Sequence, residues 1–245
     1  MPAERLYRAR LGGIGRVWLL GAVFLTGDAH LTGRPSQAPV DVALRQGESA
    51  LQRGKLIADF GAHIPSSDAR QVADWIAASG DNRHSAFLMV DKKFATLYVF
   101  DGHARLRGQS PVLLGAAVGD DSVPGIGLRA LAQVRPEERI TPAGRFIAER
   151  GHNARGEDVV WVDYATAVSM HRVLRTHPQE HRLERLASKS LADKRISWGC
   201  INVPVAFYET MVRPVFVSHR APVYVLPEVK SLPQVFEAYG AGSAS

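Results

Sequence analysis

The sequence has 245 residues, 46% of them hydrophobic and 22% charged, which excludes a disordered chain and allows one sizeable core with small appendages. Thirty Lys and Arg against 24 Asp and Glu give a formal net charge of +6, which favours anionic partners. The basic residues are scattered, without a run of five like charges or a stripe of aromatic residues alternating with Arg or Lys. A nucleic acid partner is therefore not expected.

The N-terminal segment, residues 1–29, has the pattern of an export signal. Arginines precede the apolar run VWLLGAVFLTG at 17–27, which is shorter than the relaxed helix of about 20 residues that spans a bilayer. Gly27 and Ala29 provide small residues for cleavage after Ala29. We expect an exported protein of the periplasm or cell envelope, with an uncleaved inner-membrane anchor as the alternative. Residues 30–41, HLTGRPSQAPVD, follow as a linker.

Residues 42–85 predict a short helical segment ahead of the main domain. The stretch SSDARQVADWIAASG is typical of a helix, capped by Ser67 or Asp68 and followed by Gly80, which suits the left-handed position after the last turn. Its apolar face is formed by Val72, Ala73, Trp75 and Ile76. A further helix is expected over residues 42–60.

The main domain is predicted over residues 86–227. Apolar and polar residues alternate from residue 86, with turn signals at 91–93 and 101–102, which indicates a β-meander. The stretches TPAGRFIAE, VVWVDY, AVSMHRV and APVYVL predict four more strands. PVAFYETMVRPVF, starting at Pro204, predicts a helix in its first half only. The expected fold class is mainly β with peripheral helices, and residues 228–245 form a C-terminal tail.

Cys200, in ISWGCINVP, is the only cysteine of the chain. Free cysteines are usually buried as small hydrophobic residues, so the predicted surroundings matter. The thiol would lie near the N-terminus of the Pro204 helix, where the helix dipole favours a thiolate. Gly199 leaves the N–H groups around positions 199 and 200 open to a developing oxyanion. His171, at the end of a predicted buried strand, is the candidate base, with a satisfied core histidine as the alternative.

Metal binding is the competing use of cysteine and histidine. Zinc takes three or four ligands at recognisable spacings, and the chain has no CxxC or HExxH pattern. His177 and His181 form HPQEH, but Pro178 argues against the helical face that would aim both rings at one ion. We expect no metal and no cofactor, and we expect RTHPQEHRLERL to be a solvated surface segment.

The order TPAGRF, SMH and Ser-x-Gly-Cys-Ile-Asn resembles the L,D-transpeptidase catalytic domain, the YkuD family, over roughly residues 86–227. The matching positions of the motif are Ser197, Gly199, Cys200, Ile201 and Asn202. The resemblance implies a β-sandwich domain that acts on peptidoglycan stem peptides. It also implies that Cys200, with His171 as base, attacks the carbonyl between the meso-diaminopimelate L-centre and D-alanine. The acyl-enzyme then passes to an amine, giving a 3→3 cross-link, or to water, giving carboxypeptidase activity.

The resemblance also implies roles for the remaining site residues. This sequence departs from the family pattern in three places. Ser197 and Gly199 belong to the nucleophile loop, and Trp198, Asn202 and Arg172 are candidates for substrate binding. Trp198 stands where the family usually has histidine. Residues 172–196 make a longer separation than usual between base and nucleophile, which indicates an insertion over about 174–195, either a lid or a surface excursion. Arg172 replaces a small residue, and a backbone carbonyl would serve to orient His171.

Three classes of function stay open on the sequence. The first is a transpeptidase, and the second is a peptidoglycan peptide hydrolase that uses the same Cys200 and His171. The third is a catalytically silent wall-binding module, which would have no need of either side chain. The first two differ in whether an amine or water reaches the acyl-enzyme, and the sequence does not distinguish between them.

Overall fold

A computed structural model describes residues 56–174, 177–217 and 220–236 of the chain. The predicted export segment, the linker and the end of the C-terminal tail lie outside these residues, as does the helix expected from residue 42 up to residue 55. The described residues belong to one compact unit, residues 52–245.

Strands dominate the described part of the chain, in agreement with the predicted mainly β class. The strands are β1 (Phe87–Asp91), β2 (Thr96–Phe100), β3 (Leu106–Pro111), β4 (Leu114–Gly115), β5 (Gly144–His152), β6 (Asp158–Asp163), β7 (Val168–Arg172), β8 (Arg195–Ser197), β9 (Ile201–Val203) and β10 (Ala221–Leu226). Eight of them form one sheet in the order β3-β2-β1-β10-β5-β6-β7-β9, and β4 pairs with β8. The last strand, β10, therefore lies in the middle of the sheet, parallel to β1 and antiparallel to β5.

The two ends of this strand order meet. Leu113, two residues after β3, exchanges both backbone hydrogen bonds with Asn202 of β9. One continuous sheet therefore folds over until it nearly closes, and the predicted sandwich is made of its two halves. Side chains of both halves, among them Val90 of β1, Val225 of β10 and Met170 of β7, share one buried core cluster.

The meander β1–β2–β3 is present as predicted. However, alternate side chains of β1 do not divide into apolar residues facing a core and polar residues facing solvent. In β1, Leu88 and Val90 face the core between the sheet halves, while Phe87 and Met89 face a second core on the outer side. Both faces of β1 are buried because a helix and the C-terminal segment cover the outer one. Strands that are buried on both faces have continuous apolar sequences, so an alternating pattern cannot show which side chains face which core.

The predicted helix is confirmed as α1 (Ser67–Ser79), and it provides part of that outer cover. Its N-cap is Ser66, whose hydroxyl accepts the Ala69 N–H, one residue earlier than the expected cap. Gly80 takes the left-handed conformation that ends it. Residues 56–60, expected to be helical, instead run beside β3 through a bridge between Asp59 and Arg105.

The other helices are short, and one prediction about them is wrong. They are α2 (Arg182–Ala187), α3 (Val205–Phe207), α4 (Arg213–Val215) and α5 (Leu232–Val235). A π-helical turn at Tyr208–Val212 joins α3 to α4, so the helix does not end in its first half. Pro214 lies within α4, directly after this π-helical turn, and not beyond the end of the helix as predicted. No helix of the described residues is long and apolar enough to cross a membrane.

A buried ion pair ties the long β4–β5 connection to the sheet. Lys92 Nζ donates to the carbonyl oxygens of Gly119 and Thr141, near the two ends of that connection, and lies 2.6 Å from Asp120 Oδ1. Asp120 also accepts the backbone N–H groups of residues 228–230. This network fixes Thr141, which contacts the loop that carries Cys200.

Candidate active site

The register of β7 and β9 brings the predicted nucleophile and base together. The strands are parallel, with Met170 opposite Ile201 and His171 opposite Asn202. Met170 and Ile201 point into the core between the sheet halves. Because side chains alternate along a strand, Ser169, His171 and Cys200 emerge together on the other face.

Cys200 is half-buried, and its sulfur is surrounded by groups of β7. Its Sγ lies 3.6 Å from Ser169 Oγ and 3.7 Å from the Ala167 carbonyl oxygen. Burial disfavours the thiolate, but the hydrogen bond and charge of His171, together with hydrogen bonds from Ser169, bring the pKa of Cys200 below its ordinary value. His171 and Ser169 of the neighbouring strand thus favour the nucleophilic thiolate form of Cys200.

His171 responds in the opposite direction. Burial disfavours its imidazolium form, but the hydrogen bond and charge of Cys200 and the hydrogen bond to the Arg172 carbonyl together raise the pKa of His171. Its Nδ1 lies 2.7 Å from that carbonyl oxygen, which can only accept, so Nδ1 carries a hydrogen. Nε2 is then left for the thiol proton, and the expected backbone carbonyl orients the ring.

A helix dipole is not what activates Cys200, contrary to the sequence-based expectation. Strand β9 separates Cys200 from the helix that starts at Val205. This strand pairs with β7 and with Leu113. The thiolate is therefore favoured by His171 and Ser169.

The nucleophile loop is held from inside by Ser197. Its hydroxyl donates to the Cys200 carbonyl at 2.5 Å and accepts the Gly199 N–H at 3.1 Å. The Gly199 N–H is therefore occupied and does not face an oxyanion, which corrects one of the two predicted donors. Outside the strand ladders, the backbone hydrogen bonds of the described residues include none from the Cys200 N–H, so its role as a donor to the developing charge stays a prediction.

Gly199 is required at its position for two reasons. Its φ of +122° is one that residues with a side chain rarely adopt, and a Cβ there would lie 2.8 Å from the Ile140 carbonyl oxygen. Thr141 closes the contact, because its Oγ1 donates to the Gly199 carbonyl and accepts the Gly115 N–H, each at 2.8 Å. The loop before Cys200 is thus packed directly onto the β4–β5 connection.

Trp198 forms one wall of a cleft that opens at Cys200. Its side chain is 37% exposed, and the Arg139 guanidinium lies 3.5 Å from the centroid of its ring. The other lining side chains are mostly apolar and come from the β4–β5 connection, among them Ile126, Leu131, Val134 and Ile140. Trp198 and Cys200 thus line the same cleft, and substrate binding by Trp198 stays a prediction.

Arg172 lies on a second cleft, on the far side of His171. This cleft has a volume of about 340 Å³ and is lined by His171, Arg172, Leu174 and residues 156–159. The Arg172 guanidinium is ion-paired with Asp158 at 2.9 Å and with Glu209 at 2.5 Å. Its charge is thus engaged within the protein, and substrate binding by Arg172 stays a prediction.

Asn202 is placed to support the loop rather than to line a cleft. Its side chain is fully buried, and its Nδ2 donates to the Cys200 carbonyl at 3.3 Å. Arg182, from the segment predicted as an insertion, donates to its Oδ1. The substrate-binding role predicted for Asn202 is not what this placement favours.

Most described residues of the charged stretch RTHPQEHRLERL are exposed, as its charges predicted, but the segment between β7 and β8 is also anchored in the protein. Leu186 is buried against Leu113 and Val173, and the Lys194 ammonium donates to the carbonyls of Arg185 and Leu186. In the described part of the chain no group of three or more His, Cys, Asp or Glu side chains is placed to hold a metal ion.

Three contributors to the site were missed by the sequence reasoning: Ser169, Thr141 and Arg182. Ser169 lies two residues before His171, a spacing that places both on one strand face, and this signal was available. Thr141 and Arg182 reach the loop from distant parts of the chain through tertiary contacts that no local pattern records.

No protein-family model matches the chain, and comparison with curated proteins finds no relative. Solved structures do show likeness. The chain is similar to the helical cell shape determining protein Pgp2 of Campylobacter jejuni (14% identity, TM-score 0.40, 68% of this chain and 58% of that one). It is also similar to the catalytic domain of Enterococcus faecium L,D-transpeptidase (18%, 0.33, 58% and 98%) and to an L,D-transpeptidase of Mycobacterium tuberculosis (14%, 0.35, 58% and 57%).

The chain thus spans little more than half the length of two of these three proteins. They include members of the family that the sequence resembles. Identities and TM-scores at this level assign no activity to the chain, so function has to be argued from its own residues.

Proposed function

We propose that the protein is a cysteine acyltransferase acting on peptidoglycan stem peptides, as an L,D-transpeptidase. The observation that carries the proposal is the Cys200–His171 pair, in which each member shifts the pKa of the other toward a thiolate and an imidazolium. A half-buried pair of this kind is expected where a nucleophile is used. The substrate class comes from the motif that surrounds Cys200.

The proposed first step forms the acyl-enzyme. Cys200 Sγ, having given its proton to His171 Nε2, attacks the carbonyl between the meso-diaminopimelate L-centre and D-alanine. The carbonyl oxygen becomes negative and accepts a hydrogen bond from the Cys200 N–H. As the C–N bond breaks, the His171 imidazolium returns its proton to the departing D-alanine amine, leaving a thioester on Cys200.

The second step transfers the acyl group. An acceptor amine loses a proton to neutral His171 and attacks the thioester, and the released thiolate recovers its pairing with the imidazolium. With a second stem peptide as acceptor the product is a 3→3 cross-link. The reaction conserves protons within the pair and needs no cofactor.

The two clefts suit the two substrates. The cleft at Cys200 has apolar walls that fit the aliphatic stem of the donor. The cleft on the far side of His171 carries Glu157, and an exposed carboxylate at its entry attracts a protonated amine. Glu157 is exposed and bonded to Asn153, so its charge faces the solvent from which the acceptor arrives.

A hydrolase that uses the same pair is the second candidate. Water can replace the amine in the second step, which gives L,D-carboxypeptidase activity. A silent wall-binding module is disfavoured because binding alone does not require a thiol with a lowered pKa. Since peptidoglycan lies outside the cytoplasmic membrane, either activity requires export, and association with the inner membrane through residues 1–29 stays part of the proposal.

The test is turnover of disaccharide-tetrapeptide, with and without an acceptor stem peptide. The protein is expected to release D-alanine and, with acceptor present, to form the cross-linked dimer. Cys200→Ala and His171→Ala should lose both products while unfolding at nearly the wild-type temperature. D-Alanine release by Cys200→Ala would overturn the assignment, and release without dimer at saturating acceptor would favour the hydrolase.

A further inference from the structure

The segment between β7 and β8 builds a firm support beside β9. Within it, Arg185 donates to the carbonyls of Glu180 and Asp193, and the hydroxyl of Ser188 donates to the Asp193 carboxylate at 2.5 Å. Leu186 anchors the segment in a small core with Leu113. The segment is therefore held by its own side chains in a fixed position against the strand that follows Cys200.

Arg182, the first residue of α2, extends from this support into the site. Its side chain is only 11% exposed, and its Nε lies 2.5 Å from Glu180 Oε2. Its Nη1 donates to Asn202 Oδ1. A guanidinium held by a carboxylate on one side has few orientations left, so it fixes the amide it contacts.

Asn202 connects the fixed Arg182 guanidinium to the backbone of Cys200. With Oδ1 bonded to Arg182, the amide is oriented so that Nδ2 donates to the Cys200 carbonyl. The same carbonyl accepts the Ser197 hydroxyl. Two donors thus fix the peptide plane after Cys200, and the Asn202 backbone is itself paired with Leu113.

The positive charge of Arg182 also reaches the base. It lowers the pKa of His171, against the larger raising effects of Cys200. The other charged groups that face this imidazole are the Cys200 thiolate and, across the second cleft, Glu157, Asp158 and Arg172. Arg182 thus affects both members of the pair. It acts on Cys200 through the hydrogen bonds of Asn202 and on His171 through its charge.

We propose that Arg182 is a positioning residue for the reaction, through which the segment between β7 and β8 orients Cys200 by way of Asn202 and sets the charge around the Cys200–His171 pair. The proposal deepens the proposed function and rests on it for the acylation step. The reactivity of the thiol, however, can be measured without any wall substrate.

The experiment compares Arg182→Gln, Arg182→Lys and Lys189→Gln in the full chain. Lys189→Gln is the matched control, because it removes a positive charge from the same segment at an exposed residue that takes no part in the support described above. The rate of Cys200 alkylation by iodoacetamide is measured against pH by intact mass. The Arg182 charge lowers the pKa of His171, so its loss makes the imidazolium, and with it the paired thiolate, more stable. Arg182→Gln should therefore move the midpoint to lower pH, whereas Arg182→Lys and Lys189→Gln should stay near wild type.

The second readout is the rate of acylation by a carbapenem, with thermal unfolding measured for each variant. Misplacing a catalytic group by about 1 Å can cost on the order of 100-fold, so we expect Arg182→Gln to lose about tenfold or more. Arg182→Lys should regain part of it. Equal effects of Lys189→Gln and Arg182→Gln would overturn the inference, as would a folded Arg182→Gln with both readouts unchanged. An unacylated wild type with the alkylation shift intact would instead count against the proposed function alone.

Discussion

Ser169 contacts the Cys200 sulfur through its hydroxyl, 3.6 Å away, and its backbone N–H also lowers the pKa of the thiol. His171 follows two residues later on the same strand face. The family resemblance, through the Ser-x-Gly-Cys motif, pointed to Cys200 and His171, whereas spacing alone left His171 open between a base and a core residue. The sequence reasoning misjudged the donors around these two residues, since Gly199 and Asn202 are used inside the protein and Ser169 lies outside the motif.

Ser169→Ala should make Cys200 less reactive at low pH. The variant removes a hydrogen bond to the thiolate, so the pKa of Cys200 rises and the thiolate fraction below that pKa falls. Iodoacetamide alkylation against pH measures this directly. Ser110→Ala is the control, because the Ser110 hydroxyl is also buried and donates to the Pro111 carbonyl rather than to a group of the Cys200–His171 pair. An unmoved midpoint in Ser169→Ala would show that the hydroxyl does not support the thiolate.

Trp198→Ala is expected to shift product from cross-link to hydrolysis. The indole covers one side of the cleft at Cys200, so its removal admits water to the acyl-enzyme before an amine arrives. Arg139 loses its ring contact as well, for which an exposed pair contributes about 0.5–1 kcal/mol of stability. The ratio of free tripeptide to dimer at saturating acceptor amine is the measurement. An unchanged ratio would contradict the shielding role.

At the scale of the elements, the local patterns of α1, of the β1–β3 meander and of β5 to β7 were predictable. Each depends on periodicity and turn residues that lie within a few positions of one another. The central place of β10 was not predictable, because its partners β1 and β5 are distant in sequence. The same holds for β9, which local sequence could not distinguish from a loop until β7 and Leu113 were known to flank it.

Lys92→Ala should be strongly destabilising. It removes the buried cation that pairs with Asp120 and holds both ends of the β4–β5 connection. Breaking a buried pair from one side typically costs about 3–5 kcal/mol. The neighbouring Lys93→Ala is the control, since Lys93 pairs with Asp68 at the surface and such pairs contribute about 0–1 kcal/mol. Chemical denaturation of both variants should give clearly different free energies of unfolding.

Asp120 also predicts how stability depends on pH. Burial would raise its pKa, but the N–H of Lys230, the Lys92 ammonium and two further N–H groups lower the pKa to about 2. A carboxyl with a lowered pKa stabilises the fold above its unfolded pKa of about 4, and this contribution is lost as pH falls toward about 2. Asp120→Asn should remove that part of the acid dependence. Asp121→Asn, at an exposed neighbour, should leave it in place.

For the whole molecule, the described residues form a nearly closed sheet with the Cys200–His171 pair between two clefts. Composition and strand count predicted a mainly β domain with few helices, which the structure confirms. They could not predict that one sheet closes through Leu113 and Asn202, since closure depends on a pairing between the two ends of the strand order. The predicted domain boundaries at residues 41, 85 and 227 stay predictions.

The segments on either side of the main domain share its outer core. Val72 and Ile76 of α1 pack with Phe87 and Tyr224, and so does Phe236 beyond the predicted boundary at 227. Burial of this kind supplies most of the stabilisation of short helices. These elements are therefore part of the scaffold that holds the site, although sequence composition separated them from it.

The central claim is that Cys200 is an activated nucleophile that forms an acyl-enzyme. Its most direct test is intact-protein mass spectrometry after incubation with a carbapenem, whose strained lactam carbonyl takes the place of the scissile amide. The account predicts one adduct on the wild-type protein, located at Cys200, and none on Cys200→Ala. An adduct on Cys200→Ala, or no adduct on a folded wild type whose Cys200 iodoacetamide still labels, would contradict it.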